Sequence, residues 1–279
     1  MNSDKLKSII SKKANGNSDI SMQLYQMFFF EKILDRVSVS KYKHNIILKG
    51  GLLLSSIIGE DMRTTKDMDA SLRSIVLEKE NIYEIFNEIL SIDLNDNTHF
   101  EIIDIKDIRA EDEYGGFRIN VLGVFEQLKI NMFIEVSTGD VITPKEIEYK
   151  YKCIFEEREI PIFAYTIETI LAEKFETIIT RSVLNTRLKD FYDIYILFGE
   201  NVNKEQILIA IKNTFRNRET NIDIEEFKEV LDLLRKDKTM INNWTKYSNK
   251  FHYAKDISFD DIMNKLDKII KLINENIDN

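Results

Sequence analysis

The hydrophobic rhythm of the chain changes once, and that change limits what it can fold into. Up to Pro161 the pattern is mixed, with helical stretches among short apolar runs that alternate with a period of two, as strands with one buried face do. Beyond Pro161 the period is 3.6 almost throughout, as in packed helices. Alternation is clearest over 67–73, Phe100 to Ile105, Phe117 to Phe125 and Leu128 to Val136. The links Tyr114-Gly115-Gly116 and Glu126-Gln127 are short enough to fold the last three runs into an antiparallel meander. Before them, Leu24, Met27, Phe28 and Leu34 predict a helix over 20–36, and Ile46-Ile47-Leu48 predicts a short strand. A brief apolar helix should then run through Ile58 and stop at Gly59. Near the end, Ser258 and Asp261 have the spacing of a capping box. That box would open a helix whose buried stripe is Ile262, Leu266, Ile269, Ile270 and Ile273. Both prolines, Pro144 and Pro161, fall in the stretch Thr138 to Pro161, expected to connect two lobes with a strand or two of its own. The expected fold is α+β, with a mixed or antiparallel sheet and N-terminal helices over 1–150 and a mainly helical lobe over 151–279.

Several chemistries are excluded. The single cysteine, Cys153, rules out an intramolecular disulfide and a cysteine-built zinc cluster. His44, His99 and His252 have no metal-ligand spacing. A carboxylate-rich chain with few histidines suits hard, oxygen-seeking cations such as Mg²⁺ better than zinc. The net charge of −9 disfavours sequence-blind coating of nucleic acid but leaves room for a local basic groove. No apolar run nears the roughly 20 residues needed to cross a bilayer. The first residues lack the basic-then-apolar layout of a signal peptide, so a cytoplasmic protein without membrane contact is expected.

Five groups of residues can carry chemistry. Lys49-Gly50-Gly51 lies between a strand and a helix, where backbone N–H groups can approach an anion closely. Asp67 and Asp69 are two apart on a strand and share a face, while Met68, Ala70 and Leu72 point into the core. Neighbouring carboxylates repel, so such a pair is kept cheaply only in water or around a cation. Glu135 interrupts the apolar strand Asn131 to Ser137 and needs a cation, a donor or water. Lys174 falls on the buried stripe of a helix over Thr166 to Thr180, marked by Ile167, Ile170, Leu171, Phe175 and Ile178. In Arg187 to Asp193, the apolar face of Leu188, Phe191, Tyr192 and Tyr195 leaves Lys189, Asp190 and Asp193 displayed together elsewhere. Each group alone also has a plain structural reading: a turn, a solvated edge strand, a satisfied buried acid, a snorkelling lysine and an i,i+4 surface pair.

Their order along the chain resembles a known family. Ile47 to Leu54 followed by Arg63-Thr64-Thr65-Lys66-Asp67-Met68-Asp69 resembles the opening motif of the polymerase-beta-like nucleotidyltransferases, and more narrowly the AbiEii/AbiGii toxin family. Arg36 to Tyr42 is similar to that family's lead-in. Glu168 to Lys174 and Arg187 to Tyr195 are similar to its two later motifs, so the likeness covers about residues 25–200. The resemblance implies a polymerase-beta-like lobe followed by a helical C-terminal lobe. It also implies a type IV toxin that uses a nucleoside triphosphate with Mg²⁺ and transfers a nucleotide to RNA, at the 3′ end of tRNA in some relatives. Growth then stops, as abortive defence against phage requires. The cognate antitoxin is expected to oppose the toxin without a stable complex.

Carried across, the resemblance assigns Asp67, Asp69, Lys174 and Asp190 to catalysis. Asp67, Asp69 and Glu135 are the expected metal ligands. Lys49, Gly50, Gly51, Thr65, Lys174 and Lys189 are the expected nucleotide contacts, with Asp190 near the attacking hydroxyl. Two departures stand out. Gly51 replaces the serine usual in the wider superfamily and leaves only backbone N–H groups for that contact, and Glu135 is one methylene longer than the usual Asp. A basic track for RNA would begin at Arg181, Arg187 and Lys189 and extend to Lys212, Arg216 and Arg218. Two alternatives stand beside this one: a GTP- or ATP-binding regulator without transfer, and a nucleotidyltransferase that modifies a small molecule or a protein.

Overall fold

A computed structural model of the protein describes residues 1–59, 65–108, 115–199 and 202–276. The chain divides into two units, Met1–Gly139 with Glu146–Ala164, and Asp140–Lys145 with Tyr165–Asn279.

The first unit is built on a mixed seven-stranded sheet. Its strands are β1 (Ile46–Lys49), β2 (Asp67–Leu72), β3 (Thr98–Ile108), β4 (Gly116–Phe125), β5 (Leu128–Ser137), β6 (Ile147–Lys152) and β7 (Glu159–Ala164). They are ordered β3-β4-β5-β2-β1-β7-β6. The β1–β7 and β2–β5 pairs are parallel and the others antiparallel. Helices α1 (Ser3–Ala14), α2 (Ser18–Val39), α3 (Gly50–Ile58) and α4 (Lys79–Leu90) complete the unit. The alternation that predicted the strands is the alternation that buries them. Ile130, Met132, Ile134 and Val136 of β5 are buried, as are Ile119, Val121 and Phe125 of β4, and Phe28 and Phe29 of α2 are among the apolar side chains buried with them. Phe28 meets Phe125 with ring centroids 5.1 Å apart. Glu126, at φ +53°, turns the β4–β5 hairpin in two residues and sets its register. The expected meander is present as β3-β4-β5, although Tyr114 and the Arg63-Thr64 part of the motif lie outside the described residues.

The stretch Thr138 to Pro161 is more than a connection. β6 runs across the 150/151 break set from the sequence, and with β7 it forms the far edge of the sheet. Buried Ile160, Ile162 and Ala164 hold β7 in place, and β1 pairs only with its end, at Phe163 and Ala164. Pro161 sits where β7 has a partner on one side alone, which is where a residue without an N–H is tolerated.

The β6–β7 hairpin is tied to α2 by charge. Arg158 donates to both carboxylate oxygens of Asp35, at 2.6 and 2.5 Å, and Lys32 Nζ lies 3.2 Å from Glu156. Glu31 is buried beside them and accepts from the Ile154 N–H. Burial raises its pKa from 4.5 to about 8, against the opposing pull of that hydrogen bond and of Lys32 and Arg158. The folded protein therefore holds a proton on Glu31 that the unfolded chain has lost, so stability falls as pH rises from 4.5 to 8. Glu31→Gln keeps an acceptor for Ile154 and removes this slope. It should melt like the parent near pH 4.5 and be more stable by about 4–5 kcal/mol at pH 9. Equal melting of the two proteins at pH 9 would show that Glu31 ionises freely.

The second unit is helical: α5 (Ile167–Arg181), α6 (Leu188–Leu197), α7 (Lys204–Asn217), α8 (Ile224–Lys236), α9 (Lys238–Lys250) and α10 (Phe259–Asn274). The capping box expected at Ser258 and Asp261 opens α10, and its predicted stripe is buried throughout against α6 and α8. Thr166 caps α5 by accepting from the Thr169 N–H at 3.1 Å. Phe175, Phe215 and Phe227 form an aromatic triangle in this core.

Candidate active site

Asp67 and Asp69 lie on one face of β2, with Met68 and Ala70 fully buried behind them. Strand register brings the other candidates of this unit to them. Lys49 pairs with Asp69 across β1–β2, Glu135 pairs with Asp69 across β5–β2, and Arg118 pairs with Glu135 across β4–β5. Thr65 Oγ1 donates to Asp67 Oδ1 at 2.8 Å, and Lys49 Nζ donates to Ser137 Oγ at 2.8 Å.

The diglycine bend closes directly on Asp69. α3 begins at Gly50 without a side-chain cap of its own, and Asp69 Oδ2 accepts from the Gly51 N–H at 3.3 Å. Gly50 has φ +68°, and a Cβ there would sit 1.8 Å from Asp69 Oδ2. Backbone conformation and side-chain packing both demand glycine. Gly50→Ala should cost about 1–2 kcal/mol from the left-handed backbone alone, with more from the clash, and it should displace the carboxylate. The expected result is a lower melting temperature together with a more than tenfold loss of the transfer that the family resemblance implies, since a small misplacement at a reacting centre costs up to about 100-fold. Transfer at the parental rate would separate the bend from the chemistry.

Asp69 is held against its own charge. Burial raises its pKa to about 6, Asp67 and Glu135 push the same way, and Lys49 and the Gly51 N–H oppose them. A cluster of acids in this state fits a hard cation, which would remove the repulsion. The third acid is already occupied: Glu135 Oε1 accepts from Arg118 Nε at 2.8 Å and also from Arg118 Nη2. Arg118 thus meets the need for a donor that Glu135 posed as a sequence. Among the described residues no three His, Cys, Asp or Glu side chains are grouped to hold a metal ion. A cation here would rest on Asp67 and Asp69 and take its remaining oxygens from a ligand, as Mg²⁺ does with phosphates.

In the helical unit the outcome departs from the expectation of displayed charges. Asp190 and Asp193 are buried, not displayed, because neighbouring helices cover both sides of α6. Lys174 Nζ lies 2.6 Å from Asp190 Oδ1 and 2.8 Å from Asp193 Oδ2, and Arg187 Nε lies 2.9 Å from Asp190 Oδ2. Lys174 neither snorkels nor stands open to an anion; it neutralises two buried carboxylates. The basic track is also interrupted. Arg218 pairs with Glu176 and lies 3.8 Å from Glu173.

Three participants escaped sequence reasoning: Arg118, Ser137 and Asp193 as a buried acid. Arg118 left a signal. The two-residue Glu126-Gln127 link fixes the hairpin register and so sets Arg118 opposite Glu135.

A profile of the family described as "Nucleotidyl transferase AbiEii toxin, Type IV TA system" matches residues 32–265, most of the chain. The chain belongs to the AbiEii nucleotidyltransferase toxin family. Among solved structures, this AbiEii protein is similar to MenT4, a nucleotidyltransferase toxin from Mycobacterium tuberculosis H37Rv. That likeness has a TM-score of 0.52 at 13% identity and covers 94% of this chain and 98% of that one. JHP933 from Helicobacter pylori follows with a TM-score of 0.49 at 11% identity, covering 92% and 93%. At such identities structural likeness bears on the fold alone. No curated protein gives a significant match. No described helix of the AbiEii chain is long and apolar enough to cross a membrane.

Proposed function

We propose that this AbiEii toxin is a Mg²⁺-dependent nucleotidyltransferase that moves a nucleotide from a nucleoside triphosphate to the 3′ hydroxyl of tRNA and thereby halts growth in abortive infection. One observation carries the reading: Asp67 and Asp69 share a face, and Asp69 touches the Gly50-Gly51 bend. A binder without transfer has no use for two acids beside its phosphate loop, because without a cation they repel the ligand.

In this reading Asp67 and Asp69 hold the cation, and the N-terminus of α3, with Lys49 beside it, faces the triphosphate. Mg²⁺, when bound, supplies positive charge to the reacting phosphate and to the attacking oxygen. Thr65 fixes the Asp67 carboxylate, and Ser137 steadies Lys49. The acceptor oxygen forms a bond to the α-phosphorus as the bond to the pyrophosphate oxygen breaks; pyrophosphate leaves, and the hydroxyl proton passes to water. Most of the rate enhancement comes from positioning and charge. In this reading Lys174 reaches phosphate, and Asp190 the acceptor, only by exchanging their mutual ion pair for those contacts, and the antitoxin acts without a stable complex.

The test incubates the protein with each labelled nucleoside triphosphate, Mg²⁺ and total cellular RNA. Label on tRNA, lost in EDTA, is the expected result. Nucleotide that binds as tightly in EDTA as in Mg²⁺ and labels no RNA would identify a regulator instead. Label on protein or on a small molecule would replace the acceptor.

A further inference from the structure

The face that carries the aspartates continues across the sheet. Strand register places two rows of side chains on it: Lys106, Arg118, Glu135, Asp69 and Lys49 in one, and Asp104, Asn120, Phe133 and Asp67 in the next. Phe133 lies on the opposite side of the aspartates from the diglycine bend. It is 39% exposed, although Met132 and Ile134 on either side are fully buried. The Arg118 guanidinium lies over its ring, 5.4 Å from the centroid, and is anchored by Glu135, yet it stays 46% exposed. Next to them, Asn120 Oδ1 is buried with no hydrogen-bond partner among the described residues. The orphaned Asn120 acceptor is the costly group here, and the exposed Phe133 ring with the Arg118 guanidinium over it forms a flat aromatic and cationic surface beside it and beside the aspartates.

We propose that Phe133, with Arg118 and Asn120, is the subsite for the acceptor's terminal nucleotide. A nucleobase packs against the Phe133–Arg118 pair, as bases do on aromatic and guanidinium surfaces, and Arg118 neutralises a backbone phosphate. The assignment to acceptor and not donor rests on the transfer reading above. In an in-line displacement the attacking and leaving oxygens lie on opposite sides of phosphorus. With the pyrophosphate end at the bend on the β1 side of Asp69, the attacking hydroxyl enters from the β5 side. Adjacent strands are about 4.8 Å apart, so β4 lies roughly 10 Å from β2, the reach of one nucleotide. The partner is single-stranded RNA with a free 3′ end, because a paired base has no face to offer.

The test measures binding without passing through catalysis. A fluorescent single-stranded oligoribonucleotide with a free 3′ hydroxyl is titrated with the parent, Phe133→Ala, Phe133→Tyr and Arg118→Lys, and nucleoside triphosphate binding is measured in parallel. Phe133→Ala should weaken oligonucleotide binding tenfold or more, by about the contribution of one stacked base. Phe133→Tyr should bind within about threefold of the parent, because it keeps the ring, and Arg118→Lys should weaken binding several-fold, since lysine does not stack. Triphosphate affinity should not change in Phe133→Ala or Phe133→Tyr. Unaltered oligonucleotide binding in Phe133→Ala would overturn the subsite, as would a loss confined to the triphosphate. A parent that binds the oligonucleotide but transfers nothing to any RNA would sink the transfer reading and leave the RNA contact standing.

Discussion

Asp69→Asn is expected to lower nucleotidyl transfer about a thousandfold or more while the protein folds as before. In the proposed mechanism the loss follows from the charge: electrostatic stabilisation by a bound cation would contribute several kcal/mol to such a transition state, and about 4 kcal/mol is a thousandfold. The fold survives because Met68 and Ala70 anchor β2 and asparagine still offers an oxygen to the Gly51 N–H. Without metal the variant should even be the more stable protein. The folded pKa of Asp69 is raised to about 6, so its ionised form is disfavoured on folding at neutral pH. Removing that charge should add about 1–3 kcal/mol in EDTA at pH 8, and the gain should vanish as pH falls below 3.8, where the acid is neutral in both states. Kinetics and thermal melts of the same sample check both halves. A variant that retains full transfer and toxicity would end the mechanism.

Lys174→Ala is expected to destabilise the helical unit by about 3–5 kcal/mol, the cost of leaving buried carboxylates without their cation. Lys174 holds both Asp190 and Asp193, and Arg187 covers only the first. In an Asp193→Asn background the same change should therefore cost much less, and chemical denaturation of the four proteins of this cycle measures the coupling. A cost below about 1 kcal/mol in the parent background would mean that water already screens the cluster. Loss of activity in Lys174→Ala reports on phosphate contact only where the unit is shown to be folded.

Much of the sheet was legible in the sequence because period-two burial and tight links are local signals. Met68 and Ala70 declared the buried side of β2, and hence the shared side of Asp67 and Asp69. The contact between Asp69 and the bend follows from the antiparallel pairing of β1 with β2, a non-local register that periodicity along the chain does not report. The later strands were harder to read. β7 is short, carries Pro161, and is held by a parallel neighbour far back in the chain. The pairing of Lys174 was hidden for a related reason. Spacing within one helix favoured a Lys189–Asp193 pair, whereas contact between α5 and α6 decided the partner. A lysine on a buried stripe was the signal, and its plain explanation was an acid on the facing helix. α4 has no side-chain N-cap to single it out, whereas α1 has one in Asn2, which accepts from the Lys5 N–H and is not read as a helix start from the sequence alone.

The place of β7 has a consequence for how the toxin is made. Ile47 meets Phe163, so one flank of the strand leading into the diglycine bend stays bare until that late segment leaves the ribosome. A nascent chain that has produced both aspartates still lacks the neighbour that braces their bend. Translation that stalls short of Ala164 should therefore release a fragment that is harmless to its host and ready to aggregate.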